Sequence, residues 1–244
     1  MNVRFAPETG EFLMDQSAFD QLINWVAAGD PPGPELEEFR QAGVISADGL
    51  HDTLVPPITA VMDPSCQLRI DVFDHDGSER CADGWLNGNT GALLADRASG
   101  MRHFFEVHPT LIPAVVAKLV KLQPRPRFTS ETEPLLMPRS SLEGLLGGSV
   151  AEREAAASRF TSTGDAPHPV IDVLVPGPWR RWSVTSMWVE PSGRPASYGL
   201  QVIDTDQGMW RCEASGVDAS LWPTRSTDVW RALTRLLPDE VEEP

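Results

Sequence analysis

Apolar residues recur at helical spacing in the N-terminal quarter of the chain. One predicted helical face follows the i, i+3, i+4, i+7 rule at Phe19, Leu22, Ile23 and Val26. Ser17 and Asp20 have the spacing of a capping box, and Gly29 suits the position after the last turn. Two shorter apolar clusters follow, so we expect a layer of helices over residues 15–63.

The apolar period falls to about two from Gln67 onward. Leu68, Ile70 and Val72 alternate with the residues between them, and glycine-containing turns divide the following segment into further extended stretches. The helical period returns after Pro109. This order predicts four antiparallel strands followed by a helix.

Residues 180–238 repeat the order of residues 65–124. Four pairs of turn residues are separated by 114 to 117 positions: Gly77 and Gly193, Gly91 and Gly208, Gly100 and Gly216, Pro109 and Pro223. A shared offset over several landmarks indicates a duplicated unit. Two such units would each bury one sheet face, which predicts a quasi-twofold α+β fold with a central antiparallel sheet flanked by helices. We expect a single domain over residues 1–244.

A proline-rich connector is predicted between the two repeats. Four prolines between residues 124 and 138 oppose both a regular strand ladder and a continuous helix. Ser149 and Glu152 then form a capping box, which predicts an alanine-rich helix that ends near Phe160.

The net charge and the cysteines indicate which cellular compartment and which classes of partner the protein has. The 244 residues carry a formal net charge of −15, which opposes binding to nucleic acid and to anionic membrane surfaces. The apolar runs are shorter than the roughly 18 residues of a membrane span, and the N-terminal residues do not resemble a signal peptide. Three cysteines without a C-x-x-C spacing argue against a disulfide framework. We therefore expect a cytoplasmic protein.

The sequence offers no convincing catalytic, metal or cofactor motif. The acidic turns at residues 74–77 and 204–208 fail the ligand spacing of a calcium loop, and turn geometry alone explains their Asp and Gly residues. No histidine pair has the i, i+4 spacing of a helical zinc site. A glycine-rich phosphate loop is also missing. We expect a protein that is not an enzyme and needs no metal or cofactor.

Tryptophan is the unusual residue type, with eight Trp against one Tyr. Because large aromatic side chains are enriched at binding hot spots, Trp179, Trp182 and Trp188 are the candidate partner-binding residues. Trp179 follows an irregular Pro-Gly-Pro run, so we expect it to be partly exposed. Alternation places Trp182 and Trp188 on one strand face, which predicts that both are buried or both are available. Core packing is the preferred interpretation for that pair.

The order of elements resembles the EspG family of actinobacterial type VII secretion chaperones. The segments that carry the resemblance are residues 19–26, 41–45, 62–64 and 202–208. The last of these, Val-Ile-Asp-Thr-Asp-Gln-Gly, is similar to the Asp-Thr-x-x-Gly-aromatic turn of the family, with Met209 inserted before Trp210.

This resemblance implies a quasi-twofold fold and a cytoplasmic chaperone that covers the hydrophobic helical tip of an export substrate. The implied partner is a PE/PPE-like pair or another small helical pair. The net charge leaves an alternative open, an acidic immunity protein that neutralises a toxin by direct binding. Neighbouring genes and the salt dependence of binding would separate these two hypotheses.

Overall fold

The chain has two compact units, each built from separate stretches of sequence. The structure, a computed structural model, describes residues 2–8, 11–97, 100–126, 134–147, 149–161 and 169–238. Unit 1 comprises Met1–Arg69, Arg80–Ile112 and Ser186–Ser197. Unit 2 comprises Ile70–Glu79, Pro113–Thr185 and Tyr198–Pro244.

The described residues form thirteen strands. They are β1 (Val3–Ala6), β2 (Glu11–Met14), β3 (Ile45–Ser46), β4 (Gly49–Leu50), β5 (Cys66–Asp74), β6 (Glu79–Asn87), β7 (Thr90–Asp96), β8 (Arg102–Val107), β9 (Leu135–Pro138), β10 (Trp179–Val189), β11 (Pro195–Thr205), β12 (Gly208–Ser215) and β13 (Asp218–Thr224). Eleven of them belong to one large antiparallel sheet, and β3 with β4 forms a separate small hairpin.

The described residues also form eight α-helices. They are α1 (Gln16–Ala28), α2 (Glu37–Gln41), α3 (Val55–Met62), α4 (Ile112–Leu119), α5 (Arg139–Leu146), α6 (Val150–Thr161), α7 (Pro169–Leu174) and α8 (Ser226–Leu233). Helices flank the sheet, so the predicted α+β class with an antiparallel sheet is confirmed.

Unit 1 packs its helices against one sheet face. Strands β1, β2, β8, β7 and β6 are neighbours in that order, and their apolar residues share a core with α1 and α3. Phe12 lies opposite Phe104 across β2 and β8, with ring centroids 6.1 Å apart. Leu22 and Ile58 bring the two helices into the same buried cluster. The predicted helical layer is therefore the cover of this part of the sheet.

The first helix begins earlier than predicted. Asp15 is its N-cap, and the Asp15 carboxylate accepts a hydrogen bond from the Ala18 amide at 2.8 Å. The predicted start at Ser17 is wrong because an aspartate two residues earlier already satisfies an exposed amide of the first turn. At the other end the prediction is confirmed, since Gly29 has φ +67° and its amide donates to Trp25 O.

Unit 2 has its own core on the strand order β10, β11, β12, β13 and β9. Residues of α5, α6 and α7 pack with the strands in a buried cluster that contains Leu145, Ile203 and Trp210. The predicted capping box at the start of α6 is confirmed, because the Glu152 carboxylate accepts from the Ser149 amide at 2.5 Å.

The predicted connector contains regular structure at its C-terminal end. Residues 127–133 lie outside the described residues. Residues 135–138 form β9, which pairs with β13 so that Leu136 lies opposite Ser220. Prolines at both ends of this short strand explain why the sequence pattern did not predict it.

The two predicted repeats have the same element order in the structure. Four strands are followed by a helix in residues 65–124, and the same holds for residues 180–238. Both compact units take residues from both repeats. The duplication itself stays a prediction.

Candidate partner-binding site

The three sequence-predicted tryptophans differ in their exposure. Trp179 is 5% exposed and Trp182 is fully buried, whereas Trp188 is partly exposed. The expectation that Trp179 is partly exposed is wrong, because its ring belongs to the buried core of unit 2. The expectation that Trp182 and Trp188 share one burial state is also wrong. Only Trp188 offers surface to a partner.

Trp182 and Trp188 differ in exposure because burial decreases along β10. From Arg181 to Ser186, residues alternate between partly buried and buried positions, and then Met187 and Val189 are 46% and 66% exposed. Trp188 lies between these two apolar residues. The last three residues of β10 thus form an apolar stretch that is open to solvent.

A groove of about 530 Å³ in unit 1 is lined by this stretch. Its walls are Pro64, Ser65 and Gln67 at the start of β5, Met187, Trp188 and Val189 at the end of β10, and Pro195, Ala196 and Ser197 at the start of β11. Pockets that hold a compact ligand or a few side chains have volumes of roughly 300–1,000 Å³. The groove has the size and apolar character to receive side chains of a partner.

Local hydrogen bonds fix both walls of the groove. The Ser65 amide and hydroxyl both donate to Leu86 O, at 2.8 and 3.0 Å. The turn between β10 and β11 is closed by the Gly193 amide, which donates to Glu190 O at 2.8 Å. Gly193 has φ +79°, a conformation that glycine adopts without strain. The groove is therefore held by backbone structure.

Cys66 lies between two lining residues of the groove, but its side chain is buried. Burial raises the pKa of the Cys66 thiol to about 11. The thiol is therefore protonated at neutral pH, which makes it a weak nucleophile. The groove offers apolar contact and a few neutral polar groups.

A second cavity, of about 460 Å³, lies in unit 2 and is polar. The turn that resembles the EspG motif forms part of its wall through Asp204, Thr205 and Asp206. Arg125 binds both oxygens of Asp204 at 2.7 and 3.0 Å, and it also contacts Asp206 at 3.1 Å. Across the same cavity Arg180 pairs with Asp74 at 2.7 Å. These arginines are engaged within the protein.

The Arg125–Asp204 pair is almost completely enclosed. The side chain of Asp204 is 1% exposed and that of Arg125 is 15% exposed. Burial raises the pKa of Asp204, and the guanidinium of Arg125 opposes that effect. The hydrogen bond from Arg125 to Asp204 raises the pKa of Arg125. This arrangement ties residue 125 of the predicted connector to the end of β11, which is a structural role.

Two exposed tryptophans in unit 2 were not predicted as surface residues. Trp222 is 44% exposed and Trp230 is 41% exposed. Trp222 follows the buried Leu221 on β13, so strand alternation could have identified it. Trp230 follows the buried Val229 on α8 and lies outside the buried face of that helix.

The described residues contain no group of three or more His, Cys, Asp or Glu side chains that could hold a metal ion. They also contain no helix that is both long and apolar enough to cross a membrane.

The fold is similar to that of EspG5, a chaperone of the type VII secretion system of Mycobacterium tuberculosis, solved in complex with the PE25–PPE41 dimer. The match has a TM-score of 0.60 and 11% sequence identity, and it covers 93% of this chain and 97% of that chain. No family model and no curated protein matches the sequence. The fold implied by the EspG resemblance is therefore confirmed, as a similarity of fold.

Proposed function

We propose that this protein is a chaperone of type VII secretion that binds the apolar helical tip of an export substrate in the cytoplasm. The partner would be a PE/PPE-like pair or another small helical pair. Covering an exposed apolar tip would keep the substrate from aggregating before export. The fold similarity to a chaperone solved with such a pair supports this proposal.

The groove at Trp188 is the observation that carries the proposal. Single exposed apolar residues are common on protein surfaces and need no explanation. Here Met187 and Val189 are exposed on either side of a tryptophan, and all three line one apolar groove. A central aromatic residue surrounded by aliphatic contacts is typical of a binding hot spot. Trp179 and Trp182 would support the fold from within the core.

Crosslinking in cells tests which surface meets the substrate. A photoreactive amino acid is placed at Met187, and in a matched variant at Val217, which is 80% exposed in unit 2. We expect crosslinks from position 187 to a small helical export substrate, identified by mass spectrometry, and none from position 217. Crosslinks to that substrate from position 217 alone would contradict the proposed site.

Affinity measurements then quantify the contribution of Trp188. We expect Trp188→Ala to weaken binding to the identified substrate by about 2 kcal/mol or more, because a large hot-spot side chain is removed. Trp222→Ala is the control, since it removes another partly exposed tryptophan outside the groove. Calorimetry gives the affinities, and thermal melting checks that both variants are folded.

A folded Trp188→Ala variant with unchanged affinity would remove the groove from the site. The salt dependence of the wild-type affinity separates the proposal from the immunity hypothesis. Apolar binding predicts a shallow dependence, whereas neutralising a strongly basic toxin predicts a steep one.

A further inference from the structure

We propose that the groove selects a helical segment in which Lys or Arg lies beside the apolar residues that enter it. This inference rests on the proposed function and narrows its substrate class. It concerns the rim of the groove, because the residues that line the groove itself carry no charge.

Asp63 directly precedes Pro64, a lining residue of the groove, and it is exposed. The backbone of Asp63 is fixed, since its amide donates to Thr59 O at 3.1 Å and its carbonyl accepts from Asn87 Nδ2 at 2.5 Å. The chain at the end of α3 therefore holds the backbone of Asp63 beside the first lining residue of the groove.

The Asp63 carboxylate is available to a partner, unlike the other acidic residue beside the groove. Within the described part of the chain, no Lys, Arg or His forms an ion pair with Asp63. Glu190 follows the lining residue Val189, but it pairs with Arg194 at 3.2 Å and accepts from the Ser192 hydroxyl at 3.1 Å. Asp63 is thus the rim group that could bind a cation from outside.

The segment of the chain that ends at Asp63 is acidic. Residues 15–63 contain nine Asp and Glu residues and a single basic residue, Arg40. Arg40 already pairs with Glu37 at 3.3 Å. A summed field of one sign attracts a partner of the opposite sign and raises its association rate.

The same field argues against a second copy of this chain as the occupant. Two copies would each bring a net charge of −15, and like charges at an interface oppose association. A basic flank on an apolar segment satisfies both the groove and its rim. The occupant is therefore a partner helix with apolar side chains for the groove and a Lys or Arg for Asp63.

Two synthetic peptides test this selectivity with the full-length protein. Both are 20-residue alanine-based helices with the same Leu and Met face, flanked by Lys in one and by Glu in the other. Fluorescence anisotropy of the labelled peptides gives their dissociation constants at low salt. We expect the Lys peptide to bind about tenfold more tightly, a difference that decreases as salt screens the charges.

Charge-reversal variants locate the source of the preference. We expect Asp63→Lys to reduce the preference for the Lys peptide about fivefold or more, which is the scale of removing one exposed ion pair and adding repulsion. Asp48→Lys is the matched control, because Asp48 is an exposed carboxylate in the same acidic segment but does not flank a lining residue. It should change the preference by less than twofold.

The outcomes distinguish this inference from the proposed function. If Trp188→Ala leaves the affinity for both peptides unchanged, the groove is not the binding site and both proposals fail. If both peptides bind equally and Trp188→Ala weakens both, the groove binds but does not select for charge. An equal effect of Asp63→Lys and Asp48→Lys would overturn the assignment of Asp63.

Discussion

Arg125 is the ion-pair partner of the buried Asp204 carboxylate, and the nearby charge of Arg180 also favours its ionised form. We expect Arg125→Ala to destabilise the protein by about 3 kcal/mol or more at pH 7.5, because it leaves a buried charge without a partner. Burial raises the pKa of Asp204, and removing Arg125 raises it further. A group with a raised folded-state pKa stabilises the fold at low pH and loses that contribution as the pH increases.

The variant should therefore be less destabilised, relative to wild type, at pH 5 than at pH 7.5. Urea unfolding gives the difference in unfolding free energy between wild type and Arg125→Ala at each of the two pH values. Adding Asp204→Asn to Arg125→Ala is the control, since a neutral amide needs no counter-charge and should recover part of the stability. Equal destabilisation at both pH values would show that Arg125 acts through packing alone.

Individual side chains show where sequence patterns stop being informative. Alternation correctly indicates which residues of a strand share a face, but it does not show how far along the strand that face stays buried. That is why Trp182 is in the core while Trp188, on the same strand, is partly exposed. The exposure of Trp188 depends on packing against distant parts of the chain, which one sequence does not reveal.

Helix α1 depends on an N-cap that can be tested alone. Asp15 accepts from the Ala18 amide, and this hydrogen bond lowers the pKa of Asp15. We expect Asp15→Ala to destabilise the protein by about 1 kcal/mol at pH 7. Asp15→Asn should destabilise the protein less than Asp15→Ala does, because asparagine is also a good N-cap.

The pH dependence of the cap follows from the direction of the shift. Because the pKa of Asp15 is lower in the folded state, the cap contributes its full stabilisation above the unfolded-state pKa of 3.8. This stabilisation is lost as the pH falls through the folded-state pKa. The difference between wild type and Asp15→Asn should therefore decrease below pH 4. Thermal melts of wild type, Asp15→Ala and Asp15→Asn measure it, and a pH-independent difference would contradict the capping role.

Elements with strong periodicity were predicted well, and short elements were not. Helix α3 lies within the predicted helical layer, and Pro56 and Pro57 are in its first turn, where proline is tolerated. Strands β1, β2 and β9 have four residues each, which is too short for alternation to be distinguished from chance. Helix α7 begins at a proline inside a proline-rich segment. It was not predicted, because prolines in a sequence argue against a helix.

The net charge of −15 should affect the stability of the whole protein. Repulsion between like charges opposes the compact state, and salt shortens its range from about 30 Å at 0.01 M to about 8 Å at 0.15 M. We expect this increase in NaCl to raise the melting temperature at pH 7.5 by about 3 °C, which corresponds to about 1 kcal/mol for a chain of this size. Differential scanning calorimetry measures the shift.

Repeating the salt series near the isoelectric pH provides the control, because the net charge is then close to zero. The stabilisation by NaCl should largely disappear there. A salt effect of equal size at both pH values would indicate specific ion binding or a general salting effect rather than screening of repulsion.

The fold class followed from the order of elements, while the groove did not follow from the sequence. Its walls come from residues 64–67 and 187–197, which are more than a hundred positions apart. Only the pairing of distant strands brings them together. Trp188 was a candidate partner-binding residue in the sequence because of its residue type. The groove around it is visible only in the structure.

Among the described residues, strand β9 is the edge of the sheet in unit 2, and its composition limits which strands can add to it. An open edge is a template on which further strands of the same protein can polymerise. β9 has only four residues and ends in Pro138, which has no amide hydrogen to donate. Leu136 is nevertheless 71% exposed. Proline at this edge thus limits the addition of a further strand, although Leu136 presents apolar surface to solvent.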